Sequence, residues 1–263
     1  MEKALRLSLA DKDSKLRETA QTQLGALELE PQTVVSLLEQ VLESGRTTEQ
    51  QKALASLGNT KSPAAEELLG EWMDRLSEGK VIPELQLDVL MAVEESQFEN
   101  LKEKKANYEA RKKEEGLLSE FAMTLQGGNS DRGRRIFYRN NSAQCIRCHR
   151  IQGNGGEVGP ELTHIASVIS REEILTSLID PSARIAPGYG TVEVILKDDS
   201  KVIGILEKVS NTSITLNPPS GEPLEIKLKD IKERKNYPSG MLMKDVISKE
   251  EIRDLVAYLV ELK

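Results

Sequence analysis

Apolar residues recur every three or four positions through the first third of the chain, the spacing of one face of an α-helix. The clearest apolar stripes are Leu16, Ala20, Leu24 and Leu27, then Val34, Leu37, Leu38, Val41 and Leu42, and then Leu85, Leu87, Val89, Leu90 and Val93. Pro31, Pro63 and Pro83 open three of the helices, at a position where the missing N–H of proline costs little. Residues 1–96 are therefore predicted to stack as short amphipathic helices, a helical-repeat domain.

Residues 97–128 follow a different pattern, a long stretch that is highly charged and is predicted to be helical. Such a helix is solvated, and we expect it to connect two domains. The cluster Gly127-Gly128-Asn129-Ser130 ends it. The chain is thus predicted to contain a helical domain at 1–96, a charged connecting helix at 97–128 and a second domain at 129–263.

The second domain is predicted to begin and end with helices and to contain a segment of strands. Ser130 or Asp131 can cap its first helix, and capping-box patterns open later helices at Ser170 and Ser248. At about 189–235, β-branched and alternating residues predict about four short antiparallel strands. The predicted fold class is mainly α with a small antiparallel β insertion.

Charge and composition exclude several functions. The net charge of −7 argues against a general nucleic-acid binder. No run of about 18 apolar residues occurs, so no membrane span is predicted. The two cysteines are too few for a disulfide framework.

The motif Cys145-Ile146-Arg147-Cys148-His149 carries the strongest chemical signal. C-x-x-C-H is the pattern of covalent c-type haem attachment. Positions i, i+3 and i+4 share a helix face, so two thiols can reach the two vinyl groups of one porphyrin edge. One covalent haem c is therefore predicted, with thioether bonds to Cys145 and Cys148 and with His149 as the proximal iron ligand.

Two other kinds of site use similar residues. A thioredoxin-like C-x-x-C expects a strand before it in a βαβ setting, and no such pattern precedes Cys145. A zinc site needs four ligands, which Cys145, Cys148, His149 and His164 could supply. The adjacency of Cys148 and His149 makes tetrahedral coordination awkward, so haem is the favoured interpretation.

The second iron ligand is expected downstream of the motif. Met241 and Met243 lie in a predicted loop before the last helix, which suits an arm that folds over the distal face of the haem. His164 lies only fifteen residues beyond His149 and fits a packing role better. Met241 is the predicted distal ligand, with Met243, His164 and an open coordination position as alternatives.

Other residues near the motif have supporting roles. The Gly159-Pro160 pair predicts a turn, and the carbonyl of Pro160 could accept the ring N–H of the proximal histidine and fix its orientation. Three nearby arginines are predicted to be mostly solvated, and one of them could pair with a haem propionate. They are Arg147, Arg150 and Arg184.

At this point the sequence resembles a known family. The segments DRGRRIF, CIRCHRIQGNGGEVGPELTHI, LIDPSARIAPGYGTVEVILKD and PSGMLM…EEIRDLVAYLVELK are similar to the C-terminal haem-binding domain of planctomycete and verrucomicrobial type. That family is a mono-haem class I cytochrome c with a β insertion ahead of its distal methionine. HEAT-like helical repeats and a β-propeller dehydrogenase-like domain often precede it. The resemblance covers about residues 60–263.

Carried over residue by residue, the resemblance implies Cys145 and Cys148 as thioether sites, His149 as proximal ligand, Pro160 beside it and Met241 as distal ligand. The family has a proline directly after that methionine, and this chain has Leu242 instead. This departure keeps Met243 open as the alternative ligand.

The predicted function is electron transfer through a His/Met-ligated haem c, with no catalytic side chain. The haem would relay electrons from a redox partner protein or an upstream dehydrogenase domain. One alternative is a haem enzyme, or a gas- or peroxide-binding protein, with an open distal site. Another is an interaction module in which the helical repeats carry the function and the haem is a structural pin.

Covalent haem attachment of this kind takes place outside the cytoplasm in bacteria, so a periplasmic or otherwise exported location is expected. The first twenty residues lack the apolar stretch and cleavage site of a signal peptide. The sequence is therefore expected to be a mature or truncated piece of a longer precursor.

Overall fold

The computed structural model describes residues 1–24, 27, 29–186, 188–219, 221–239, 241 and 243–263. The chain divides into two compact units, Met1–Gly127 and Gly128–Lys263. Over the described residues it contains twelve α-helices and one five-stranded antiparallel sheet beside a short two-stranded one. The expectation of a mainly α fold with a small antiparallel sheet is thus confirmed.

Unit 1 is built from helices alone in its described part. Its helices are α1 Glu2–Leu9, α2 Ser14–Leu24, α3 Pro31–Ser44, α4 Thr47–Gly58, α5 Pro63–Ser77, α6 Pro83–Glu95, α7 Glu99–Glu114 and α8 Leu117–Glu120. Pro31, Pro63 and Pro83 each lie in the first turn of a helix, as expected from their missing N–H. The predicted apolar stripe of α6 is buried, and that of α3 is buried except for Val34, which is half-buried.

The core of unit 1 is aliphatic and closely packed. Leu37, Leu54, Leu57 and Leu69 are fully buried in one apolar cluster. Gly58 lets α4 approach α6 closely, because a Cβ at Gly58 would lie 2.5 Å from the carbonyl oxygen of Ala92. The unit therefore fills its interior with its own side chains.

The segment predicted to connect two domains forms the helix α7, and the division of the chain places it inside unit 1. Leu101 and Tyr108 are buried, and α7 packs on α5 and α6. Its charged face is exposed and forms ion pairs such as Lys104 Nζ to Asp74 Oδ1, at 2.8 Å. Two apolar residues among many charges were too weak a pattern to predict this packing.

Unit 2 combines helices and strands. Its elements are α9 Ser130–Arg139, α10 Cys145–Cys148, β1 Arg150–Ile151, β2 Asn154–Gly155, α11 Arg171–Ile179, β3 Thr191–Leu196, β4 Lys201–Val209, β5 Ser213–Asn217, β6 Leu224–Lys227, β7 Ile231–Asn236 and α12 Lys249–Leu259. The capping boxes at Ser170 and Ser248 are present. The cap of α9 is Asn129, whose side chain accepts the N–H of Arg132, rather than Ser130 or Asp131.

The first and last helices of unit 2, α9 and α12, pack against each other. Their approach needs Gly133, since a Cβ there would lie 1.9 Å from the carbonyl oxygen of Asp254. The buried Asp254 carboxylate accepts the N–H of Asn129 at 2.7 Å and pairs with Arg132 Nε at 2.7 Å. Burial, the largest influence on this group, raises the pKa of Asp254. The two helices form the frame on which the site is built.

The sheet has five strands in the order β6-β5-β4-β3-β7, one more than predicted. All neighbouring strands are antiparallel, and the sheet has its own apolar cluster that includes Val192, Val194 and Leu216. The additional strand is β7, which pairs with β3. Its residues IKERKN show no apolar alternation, so only the pairing with β3 reveals it as a strand.

No helix in the described part of the chain is long and apolar enough to cross a membrane.

Candidate functional site

The helix α10 is a single turn that holds the two cysteines. Gln144 precedes it in the left-handed conformation, with φ 46°, and so turns the chain from α9 into α10. The N–H of His149 donates to the carbonyl of Cys145 at 2.9 Å, which brings the three motif residues onto one turn. Both cysteines are free thiols, Cys145 half-buried and Cys148 exposed. Burial raises the pKa of Cys145 to about 11, so its thiol is protonated at neutral pH.

The imidazole of His149 is held in one orientation. Its Nδ1 lies 2.9 Å from the carbonyl oxygen of Pro160. Because a carbonyl only accepts, Nδ1 carries the proton and Nε2 keeps its lone pair. Burial lowers the pKa of His149, and the hydrogen bond to Pro160 partly opposes this. The imidazole is thus held in its neutral form, with the lone pair of Nε2 free.

The glycine-rich loop after the motif packs tightly against it. The N–H of Gly156 donates to Ile146 O at 2.9 Å, and that of Gly159 donates to Cys148 O at 2.8 Å. A Cβ at Gly159 would lie 2.5 Å from Cε1 of His149. The loop can therefore close on the imidazole only with glycine at this position.

A cavity of about 1340 Å³ lies inside unit 2. It exceeds the roughly 300–1,000 Å³ that is usual for small-molecule sites. Most of its lining side chains are apolar. Cys145, Cys148, His149, Pro160, Met241 and Met243 all line it. The structure therefore brings every site residue predicted from the sequence to one cavity.

The two methionines differ in their setting. Met243 is buried and begins a 3₁₀ turn, Met243–Asp245. Met241 is half-buried in a non-helical segment. Leu242, at the position where the family that the sequence resembles has a proline, lies outside the described residues.

The polar residues near the motif have their own partners. Arg150 pairs with Glu157 and with Glu161 and does not line the cavity. Arg184 lines the cavity and pairs with Glu173 at 2.7 Å. Arg147 lines it too and donates to the side-chain carbonyl of Gln144.

The structure also bears on the thioredoxin-like and zinc alternatives. Strand pairs in the described residues are antiparallel, and a helix rather than a strand precedes Cys145, which does not match a βαβ setting. His164 is exposed, although it lines the cavity. Among the residues that the structure describes, no group of three or more His, Cys, Asp or Glu could hold a metal ion.

Two residues of the site were missed by sequence reasoning, Ser182 and Ser239. Both lie in loops and are half-buried. Ser239 stands two residues before Met241, a spacing at which a serine hydroxyl often accepts a backbone N–H. This spacing would have been enough to predict the role of Ser239 from the sequence. Nothing in the sequence pairs Ser182 with it across 57 positions.

Comparison with protein-family models gives no match, and no curated protein matches the chain in sequence. The function is therefore argued from the site itself.

Proposed function

We propose that unit 2 is a mono-haem cytochrome c domain that transfers electrons, and that unit 1 is a HEAT-like scaffold. One observation carries the proposal. The two thiols of a C-x-x-C-H motif, an oriented imidazole and a methionine line a single large apolar cavity. This is the residue set of a covalent haem with His/Met ligation.

The residues present fit a haem c by their chemistry and their surroundings. Cys145 and Cys148 are free to form thioether bonds, and the lone pair at Nε2 of His149 is free to bind iron. Pro160 orients the ring as outer partners of metal-bound histidines do. The side chains of unit 2 leave this cavity open. Its size and apolar character suit a flat macrocycle.

Met241 is the proposed distal ligand. Met243 is buried at the start of a 3₁₀ turn, and the N–H groups of Val246 and Ile247 both donate to its carbonyl at 3.0 Å. A residue held in this way serves as a packing anchor. Met241 is less buried than Met243 and lines the same cavity, which favours it as the ligand.

When bound, the haem supplies a one-electron Fe(III)/Fe(II) couple. The chain contributes the ligands His149 and Met241, a pair that raises the reduction potential relative to two histidines. A mostly apolar lining lowers the polarity around the bound group, which also affects the potential. No side chain needs to act as an acid or a base, so the proposal does not include an enzymatic activity.

The surface around the motif favours an acidic redox partner. Residues 129–156 contain six arginines and one acidic residue in a chain whose net charge is −7, and two of these arginines, Arg132 and Arg150, form ion pairs with carboxylates of unit 2. Arg134, Arg135 and Arg139 of α9 and Arg147 beside Cys148 are exposed. Complementary charge speeds the encounter of two proteins, which suits a transient electron-transfer contact. The partner is a separate redox protein or a dehydrogenase domain of the same precursor, in the periplasm or another exported compartment.

The test is to direct the chain to the periplasm of a host with a haem-attachment system. We expect a coloured product with a c-type pyridine haemochrome spectrum and an intact mass that exceeds the polypeptide by one haem. The Cys145→Ala/Cys148→Ala variant is the control and should be colourless. A colourless wild-type protein of polypeptide mass would refute the proposal.

The alternative, a haem protein with an open distal site, is tested on the same product. His/Met-ligated iron resists carbon monoxide and shows a weak near-infrared band of methionine ligation. Met241→Ala should abolish that band and lower the reduction potential. Loss of the band in Met243→Ala alone would move the ligand to Met243, and rapid carbon monoxide binding by the wild type would favour the open site.

A further inference from the structure

The segment that carries Met241 leaves the sheet at the end of β7. We call residues 237–243 the methionine arm, of which 237–239, 241 and 243 are described. The arm starts beside β3, where the N–H of Tyr237 donates to the carbonyl of Thr191 at 3.0 Å. Beyond Tyr237 no strand pairing is described, so the arm needs other contacts to keep one conformation.

Two serines supply these contacts in sequence. The N–H of Ser239 donates to the hydroxyl of Ser182 at 3.0 Å. The hydroxyl of Ser239 then accepts the N–H of Met241 at 3.2 Å. Ser182 follows the buried Pro181 just beyond α11, whose last residues Leu178 and Ile179 are buried. The two hydrogen bonds thus link the backbone of Met241 to the end of α11.

The other end of the arm is anchored by packing. Met243 is buried, and the 3₁₀ turn Met243–Asp245 contacts both α11 and α12. Met241 therefore lies between a hydrogen-bonded anchor at Ser239 and a packed anchor at Met243. Only the first of these anchors is polar, so it can be removed without opening the apolar core.

We propose that Ser182 and Ser239 are positioning residues that hold the thioether of Met241 in the cavity. The inference rests on the proposed function, since it concerns the proposed distal ligand. The physical reason is entropic. A tethered arm loses its alternative conformations when the protein folds, so less conformational freedom is lost when the sulfur binds. Removal of either hydroxyl frees the arm and raises the fraction of time for which the ligand is away from the iron.

The experiment uses the haem-loaded full chain with Ser182→Ala, Ser239→Ala and a matched control, Ser177→Ala. Ser177 is a half-buried serine that lines the same cavity, but its hydroxyl bonds to Glu173 O of its own helix at 2.8 Å. The readout is the rate of carbon monoxide binding, which requires the methionine to leave the iron. Loss of one hydrogen bond should raise this rate roughly twofold to tenfold in both test variants and not in the control.

A conservative variant separates positioning from loss of structure. Ser239→Thr keeps a hydroxyl at the same position, and we expect its carbon monoxide rate to return to near the wild-type value. A second readout is hydrogen exchange at the amide of Met241. Exchange should accelerate in Ser239→Ala, which removes its acceptor, and be unchanged in Ser177→Ala.

The outcomes distinguish this inference from the proposed function. If the wild type shows the methionine band and both test variants equal Ser177→Ala in rate and exchange, the positioning role is wrong and the function stands. If the wild type takes up haem but lacks the band, Met241 is not the ligand. The positioning role then fails, whatever the exchange data show.

Discussion

The two units of this chain differ in what fills their interiors. Unit 1 packs leucines such as Leu54 and Leu69 against one another, and its core is complete without any other group. Unit 2 arranges its helices and loops around a cavity of about 1340 Å³. The amphipathic helices of unit 1 thus form a core from their own side chains. In unit 2, many apolar side chains line the cavity instead of packing against one another. Under the proposed function, the haem completes the core of unit 2.

The largest effect is expected from removing the haem attachment. In Cys145→Ala/Cys148→Ala, the stability of unit 2 should fall by more than about 4 kcal/mol relative to the loaded wild type, since a bound group that fills the core is lost. Unit 1 should be unaffected. Trp72, the only tryptophan, lies in α5 of unit 1, so its fluorescence reports unit 1 during guanidinium unfolding. If the unfolding transition followed by tryptophan fluorescence showed the same loss of stability as unit 2, the contrast between the two units would be contradicted.

The reverse experiment truncates the core of unit 1. Leu69 is fully buried, and Leu69→Ala should lower the stability of that unit by about 2–5 kcal/mol, through lost burial and the cavity left behind. The tryptophan transition should move to lower denaturant, and the haem absorbance transition should not. The exposed Leu7, at 66% exposure, provides the control, because Leu7→Ala should change little.

A smaller effect tests the closeness of helix packing. Gly133→Ala places a methyl group 1.9 Å from the carbonyl oxygen of Asp254 and should destabilise unit 2 by about 1–3 kcal/mol. Gly70 lies inside α5, and a Cβ there meets only Leu101 Cδ2 at 3.6 Å. Gly70→Ala should therefore stabilise unit 1 by about 0.5–1 kcal/mol. Equal effects of the two substitutions, measured by denaturant unfolding, would show that packing at Gly133 is not limiting.

The smallest effects concern pH. One buried carboxylate in each unit, Glu49 in unit 1 and Asp254 in unit 2, should make the stability of its unit depend on pH, and the two slopes should have opposite signs. Burial opposes the ionisation of Glu49, but hydrogen bonds from Arg17 Nε and from the N–H of Arg46, both at 2.9 Å, outweigh it and lower its pKa. Its contribution is present above the unfolded pKa of about 4.3 and is lost as pH falls through the lower folded value. Unit 1 should therefore weaken in acid.

For Asp254, burial raises the pKa in the folded state. The folded protein then binds more protons than the unfolded one between the unfolded pKa of about 3.9 and the raised value, so this group makes unit 2 more stable as pH falls through that window. Each slope is at most about 1.4 kcal/mol per pH unit. The free energy of unfolding is measured against pH for wild type, Glu49→Gln and Asp254→Asn, and the difference of each variant from wild type isolates the contribution of that carboxylate. Slopes of the same sign for the two differences would contradict the prediction.

Local pattern predicted the helices well. Prolines at the first turns of α3, α5 and α6 and the capping boxes at Ser170 and Ser248 depend on neighbouring residues only, so they could be read directly. The strand β7 could not be predicted, because a charged edge strand is defined by its partner β3 and not by its own residues. The packing of α7 on α5 and α6 was not predicted either, because it depends on residues of those two helices and not on the pattern of α7 itself.

The sequence by itself supplied the residues of the proposed haem attachment, because the two thiols and the imidazole of a C-x-x-C-H motif have to share one helical turn, and that spacing is local. The tertiary structure decided what surrounds the motif. It brought Met241 to the cavity that His149 lines, across 92 residues of chain, and it joined Ser182 to Ser239. Contacts between distant segments depend on the packing of the whole unit, and no local pattern encodes them.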